Sequence, residues 1–126
     1  RLLFPGQETI GATIPAGSPA QSFALEVILT FFLMFVILSV STGSKERGLM
    51  AGVSIGAVVG LEALFAGPIS GASMNPARSL GPALVGAQLD FVWIYLTAPV
   101  VGALAAVPLC LCVRPKDCCH PAGGGN

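Results

Sequence analysis

The sequence predicts an all-α membrane protein with three transmembrane helices and one re-entrant half-helix. Three observations carry that prediction. Of the 126 residues, 54% are hydrophobic and only 10% are charged, whereas roughly a quarter of a soluble domain is charged. Three stretches, 22–40, 49–66 and 91–113, approach the ~20 apolar residues that a helix needs to cross the hydrocarbon core. The connection 67–90 holds Ala72, Met74, Ala77, Leu80, Ala83, Leu84 and Val85, too much apolar surface for an ordinary loop in water.

From the N-terminus, residues 1–21 read as an external loop, since Pro5, Gly6, Gly11, Pro15, Gly17 and Pro19 punctuate them and such residues interrupt regular structure. No chemistry is expected of this segment. Arg1-Leu2-Leu3-Phe4-Pro5 looks like the end of an apolar stretch and not like a signal peptide, so a fragment of a longer chain is expected. The first span carries a single acid, Glu26. The linker Ser41-Thr42-Gly43-Ser44-Lys45-Glu46-Arg47-Gly48 is short, turn-rich and bears two cations. In the second span Gly52, Gly56 and Gly60 recur every four residues, which puts them on one helix face and predicts a stripe where a neighbouring backbone packs closely. Trp93 and Tyr95, near the start of the third span, suit an outer aromatic belt. Arg114 and Lys116 follow that span, and residues 114–126 end in the flexible tail Pro121-Ala122-Gly123-Gly124-Gly125-Asn126. The positive-inside rule then places the first linker and the C-terminus in the cytoplasm, with residues 5–21 and 67–90 outside. The membrane region is 22–113.

Composition also excludes function classes. Six basic residues balance six acidic ones, so there is no basic field to attract nucleic acid. Cys110, Cys112, Cys118 and Cys119 crowd into one terminal stretch with His120, unlike the separated ligand pairs of a tetrahedral metal site. No metal or other cofactor is expected, and the role of these residues stays open. An enzyme is not expected either. The one histidine lies in the tail, no carboxylate pair has suitable spacing, and the serines near 70–79 lack a base.

The connection 67–90 is predicted to dip back into the membrane. Backbone that is not helical survives there only when buried in protein or lining a watery cavity, because an unsatisfied amide costs several kcal/mol in hydrocarbon. Asn75-Pro76 reads as a helix start, Asn as N-cap and Pro at the first helical position, and the half-helix is expected over 76–85. Pro82 deprives the Arg78 carbonyl of its helical donor. A capped helix beside a turn accounts for Asn75 and Pro76 but not for a cation, Arg78, in an apolar re-entrant segment.

The run Ser70-Gly71-Ala72-Ser73-Met74-Asn75-Pro76-Ala77-Arg78-Ser79, with Leu80-Gly81-Pro82-Ala83 after it, resembles the second Asn-Pro-Ala box of the major intrinsic protein family, the aquaporins and aquaglyceroporins. The likeness extends over almost the whole chain, which would be one aquaporin half-repeat, two spans before the box and one after. Only one box is present where the family has two, so an N-terminal half-repeat is expected as a partner. The resemblance implies a passive channel for water and small neutral solutes in a lipid bilayer, of the plasma or inner membrane, homotetrameric when full length. It also implies that Glu26 supports the re-entrant loop, a role that would explain an expensive intramembrane charge. Glu62, near the outer end of its span, is expected to support the loop through backbone hydrogen bonds, with orienting Arg78 or reaching interfacial water as the alternatives. It should not share the pore face with Ala63, since adjacent helical residues point about 100° apart.

By the same resemblance, Asn75, Pro76 and Ala77 form the pore signature, with the Asn75 amide and the positive helix end facing the solute and opposing cations. Carbonyls of Gly71, Ala72, Ser73 and Met74 would supply acceptors. Arg78, Ala63 and Ala72 would form the selectivity filter, where two small side chains imply a wider opening than in strict water channels. Phe65-Ala66-Gly67-Pro68-Ile69-Ser70 before the box is similar to the nodulin-like intrinsic proteins and their bacterial relatives, which implies water, glycerol and metalloid acids such as arsenous, boric or silicic acid. A non-conducting half that acts only with a partner is the alternative.

Overall fold

The computed structural model describes residues 6, 9, 11–41 and 45–113, of which 45–49 are described by their backbone alone. Four helices follow one another: α1 (Pro19–Ser41), α2 (Lys45–Ser70), α3 (Pro76–Gly86) and α4 (Val92–Val113). The fold is therefore the all-helical half-repeat predicted, and α1, the Met50–Ser70 part of α2, and α4 are long and apolar enough to cross a membrane. The chain is a multi-pass membrane protein. Phe32, Leu64, Val85 and Leu104 lie exposed on the outside of the bundle, as expected where the solvent is hydrocarbon.

α1 is the central element, packing against α4 on one side and α2 on the other, while α3 rests on α4. Gly102 explains how closely α1 and α4 approach: a Cβ there would collide with the Val27 carbonyl oxygen and lie 3.0 Å from the Phe31 nitrogen. Close backbone contact through small residues is how helices associate where no hydrophobic effect drives them together. A buried cluster of Leu29, Ala66, Ala72 and Met74, with Leu33 against it, joins α1 and α2 to the segment before α3.

Two boundaries differ from expectation. α2 starts at Lys45, inside the predicted linker, and runs on to Ser70 through Pro68. Proline normally ends a helix, but here tertiary donors take the last carbonyls: the Ala16 amide donates to Ile69 O at 3.0 Å and the Tyr95 hydroxyl to Ser70 O at 2.6 Å. Those bonds hold the final turn in place. The glycine stripe also differs, because nothing lies within 4 Å of a Cβ built at Gly52, Gly56 or Gly60. That face of α2 is open among the described residues. Arg114, Lys116, Cys118, Cys119 and His120 lie outside the described residues, while Cys112 is exposed with a free thiol.

Candidate functional site

The re-entrant segment is built from the carboxyl group of Glu26 outward. Glu26 is fully buried in α1. Its Oε1 accepts from Ser70 Oγ and from the Ser73 amide, each at 2.9 Å, and its Oε2 accepts from the Met74 amide at 2.8 Å. Every partner is a donor, the pattern a carboxylate requires. To present two successive amides to one group the chain must turn sharply, and Gly71, Ala72 and Met74 have φ of 87°, 41° and 52°. Glycine adopts that region freely, whereas for the other two it costs on the order of 1 kcal/mol each. Three bonds to a charged acceptor, worth about 1.5–3 kcal/mol apiece, outweigh that strain.

α3 then starts as the sequence predicts. Asn75 is the N-cap, its Oδ1 accepting from the Ala77 amide at 2.9 Å, with Pro76 in the first helical position. Because the amide oxygen serves the cap, the NH2 end is left as the outward donor. Asn75 and Arg78 are both exposed although the surroundings are apolar. Arg78 Nη1 donates to the Gly71 carbonyl at 3.1 Å, so the guanidinium is anchored at one end while its other donors meet no acceptor among the described residues. α3 closes at Ala87, in the left-handed conformation at φ 54°, whose amide donates back to Leu84 O, a C-cap that satisfies an orphan carbonyl.

The remaining sequence-predicted positions distribute unevenly. Ala63 is exposed on α2, and its neighbour Glu62 is 4% exposed, so the two face different ways as expected. Ala72 is buried to 4% within the cluster of Leu29, Ala66 and Met74. Its backbone there is left-handed, with φ of 41°. Ser73 and Met74 are also buried, and the Gly71 carbonyl already accepts from Arg78.

Glu62 lies on α2 apart from the carboxylate of Glu26 that the loop amides meet. It lines a groove of about 340 Å³ between α1 and α2 with Leu29, Phe32, Leu61 and Phe65, and its buried Oε2 has no hydrogen-bond partner among the described residues. The helical offset from Ala63 turns it towards α1.

Two residues that sequence reasoning did not assign to the site belong beside it. Tyr95 is fully buried, and its hydroxyl bonds to Ser70 at the foot of the segment, so it does not lie on the outer surface where a belt residue would; Trp93 is half-exposed and stacks on Phe23 at a centroid distance of 6.0 Å. Thr13, in a segment from which no chemistry was expected, donates to Ser79 at 2.6 Å. A polar ring end on an otherwise apolar helix was the one available signal for Tyr95. Nothing local marks Thr13.

The profile of the major intrinsic proteins matches residues 6–109. The chain is similar to Aquaporin NIP1-4 of Oryza sativa subsp. japonica, with 52% identity over 106 residues, covering 83% of this chain and 39% of the relative. Aquaporin NIP1-1 of the same plant is 54% identical over 106 residues, covering 83% and 37%. Nodulin-26 of Glycine max is 49% identical over 118 residues, covering 93% and 44%. The chain spans less than half the length of these relatives.

Proposed function

The chain belongs to the major intrinsic protein family, and on that footing we propose that it forms one wall of a passive channel for water and small uncharged solutes. The observation that carries this reading is the exposed pair Asn75 and Arg78 on a half-helix whose start is held by a buried carboxylate. Exposed polar donors on an intramembrane element are costly unless they face a polar passage. The Asn75 amide and the positive end of α3 offer donors to a solute oxygen and repel cations. Arg78 adds a second, charged donor about one turn along. The relatives named above are aquaporins and a nodulin, channel proteins and not enzymes, and no covalent step is needed here.

Ala63 and Arg78 border the constriction in this proposal, with Ala72 contributing backbone. A methyl at position 63 leaves width for glycerol, and for neutral metalloid acids of similar size such as arsenous, boric or silicic acid. Loop 67–90 faces outward and the C-terminus lies in the cytoplasm, in a plasma or inner membrane, within a homotetramer.

A second reading, a half that conducts nothing alone, draws support from one observation. Among the described helices α3 packs only on α4, so three spans and a half-helix leave the passage unwalled on one side. The other wall comes from a further segment of a longer protein, a partner chain or a second copy. Swelling of vesicles separates the two. The full-length protein is expected to pass water and glycerol, and Ala63→His to slow glycerol more than water. The channel reading fails if neither solute crosses faster than in empty vesicles; swelling by this chain alone would exclude the non-conducting half.

A further inference from the structure

Three hydroxyls link the segment before α1 to the tip of α3. Thr13 Oγ1 donates to Ser79 Oγ at 2.6 Å, the Oγ atoms of Ser79 and Ser73 are 2.6 Å apart, and Ser73 Oγ donates to the Asn75 carbonyl at 2.9 Å. A hydroxyl has one proton to give. Ser73 uses its proton on Asn75, so Ser79 must donate to Ser73, and Ser79 in turn accepts from Thr13. The relay therefore runs in one direction, from Thr13 through Ser79 and Ser73 to Asn75, each bond polarising the next. Ser79 is fully buried and Ser73 is 3% exposed, so water does not replace a missing member.

Thr13 has a second contact at the same place. A Cβ built on Gly71 would lie 3.0 Å from Thr13 Cγ2 and 3.3 Å from its Cβ, so the threonine covers the bare face of the residue whose carbonyl anchors Arg78. Ser79, its hydrogen-bond acceptor, follows Arg78 directly in α3. One side chain thus lies against the residue whose carbonyl holds the guanidinium and bonds to the residue that follows Arg78. The Ala16 amide, bonded to Ile69 O at 3.0 Å, fixes the backbone that carries Thr13.

We propose that Thr13 is a positioning residue for the constriction, whose hydroxyl sets the placement of Arg78 through Ser79 and the presentation of Asn75 through Ser73. The inference rests on the channel reading above and adds a residue from outside the re-entrant loop to its specificity. A merely structural threonine would alter how much protein inserts without altering which solutes pass. The ratio of glycerol to water permeability, which is independent of the amount inserted, separates the two.

The test is vesicle swelling with the full-length protein. Thr13→Val removes the donor at nearly constant volume and is expected to shift the glycerol-to-water ratio by at least about twofold, the scale of one lost hydrogen bond. Thr13→Ser, which keeps the hydroxyl, retains the wild-type ratio. Ser79→Ala breaks the same relay and gives a similar shift, and the double variant adds nothing to either single one, as residues acting as a unit require. An unchanged ratio in Thr13→Val, a failure of Thr13→Ser to restore it, or additive effects of the two breaks would overturn the proposal while leaving the channel reading intact. Wild-type protein without flux would overturn both. If Ser79→Ala inserts poorly, the comparison of Val with Ser at position 13 decides alone.

Discussion

A carboxyl group placed among apolar helices costs several kcal/mol in lost hydration when ionised, and Glu26 offsets that cost by accepting from Ser70, Ser73 and Met74. No other described side chain serves both the last turn of α2 and the two amides before α3. Glu26→Gln keeps the size but puts an NH2 against at least one of those donors. The expected loss is about 2–4 kcal/mol, from one or two charged hydrogen bonds removed and a donor left buried, read as a lower unfolding temperature in detergent together with loss of flux. Tyr95→Phe is milder. It removes one bond, to Ser70 O, from a carbonyl that Phe leaves buried, and should cost about 1–2 kcal/mol with the solute ratio unchanged. Comparing the two variants in the same unfolding assay separates support of the loop's turn from support of its foot.

At the scale of elements, the α1–α4 crossing depends on one missing side chain. Gly102→Ala would put a methyl into the Val27 carbonyl and against Thr30 Cβ, at 3.1 Å, and backbone cannot yield as a flexible side chain does. The helices must separate, at a cost of about 1–3 kcal/mol for overpacking, measurable as lowered thermal stability and increased protease cutting between α1 and α4. Much of the element layout was legible in the sequence. The three spans follow from apolar length, and the start of α3 from the Asn75-Pro76 pair, because both are local properties of a helix. The end of α2 was not legible. Pro68 signals a stop, and what overrides it are bonds from Ala16 and Tyr95, residues far away in the chain that leave no mark on the local pattern. The same reason hides Thr13, 66 residues from the serine it bonds. The burial of Ala72 was hidden for a different reason: its φ of 41° is a backbone hand that residues other than glycine rarely take, and it cannot be read from composition.

For the molecule as a whole, the open face of α2 connects fold to function. Gly52, Gly56 and Gly60 have empty space where a side chain would go, yet three glycines in a helix interior destabilise it by roughly 0.8–1 kcal/mol each relative to alanine. Within the described chain nothing offsets that cost. Close approach of a further backbone would, since small residues allow tight packing in the membrane, and on the channel reading proposed above the side of the passage that α3 leaves open is where such a backbone would come from. The two possibilities separate in one variant. Gly56→Leu adds a bulky apolar group to a face that touches nothing among the described residues and replaces a poor helix former, so helix content and detergent stability of the chain should hold or rise slightly, by about 1 kcal/mol at most. Flux through the full-length protein should nevertheless fall sharply, and the loss should track how much of it still assembles in a native gel. Flux retained at the wild-type level in Gly56→Leu would mean that this face meets lipid, and that the remaining wall of the passage packs against α1 or α4 instead.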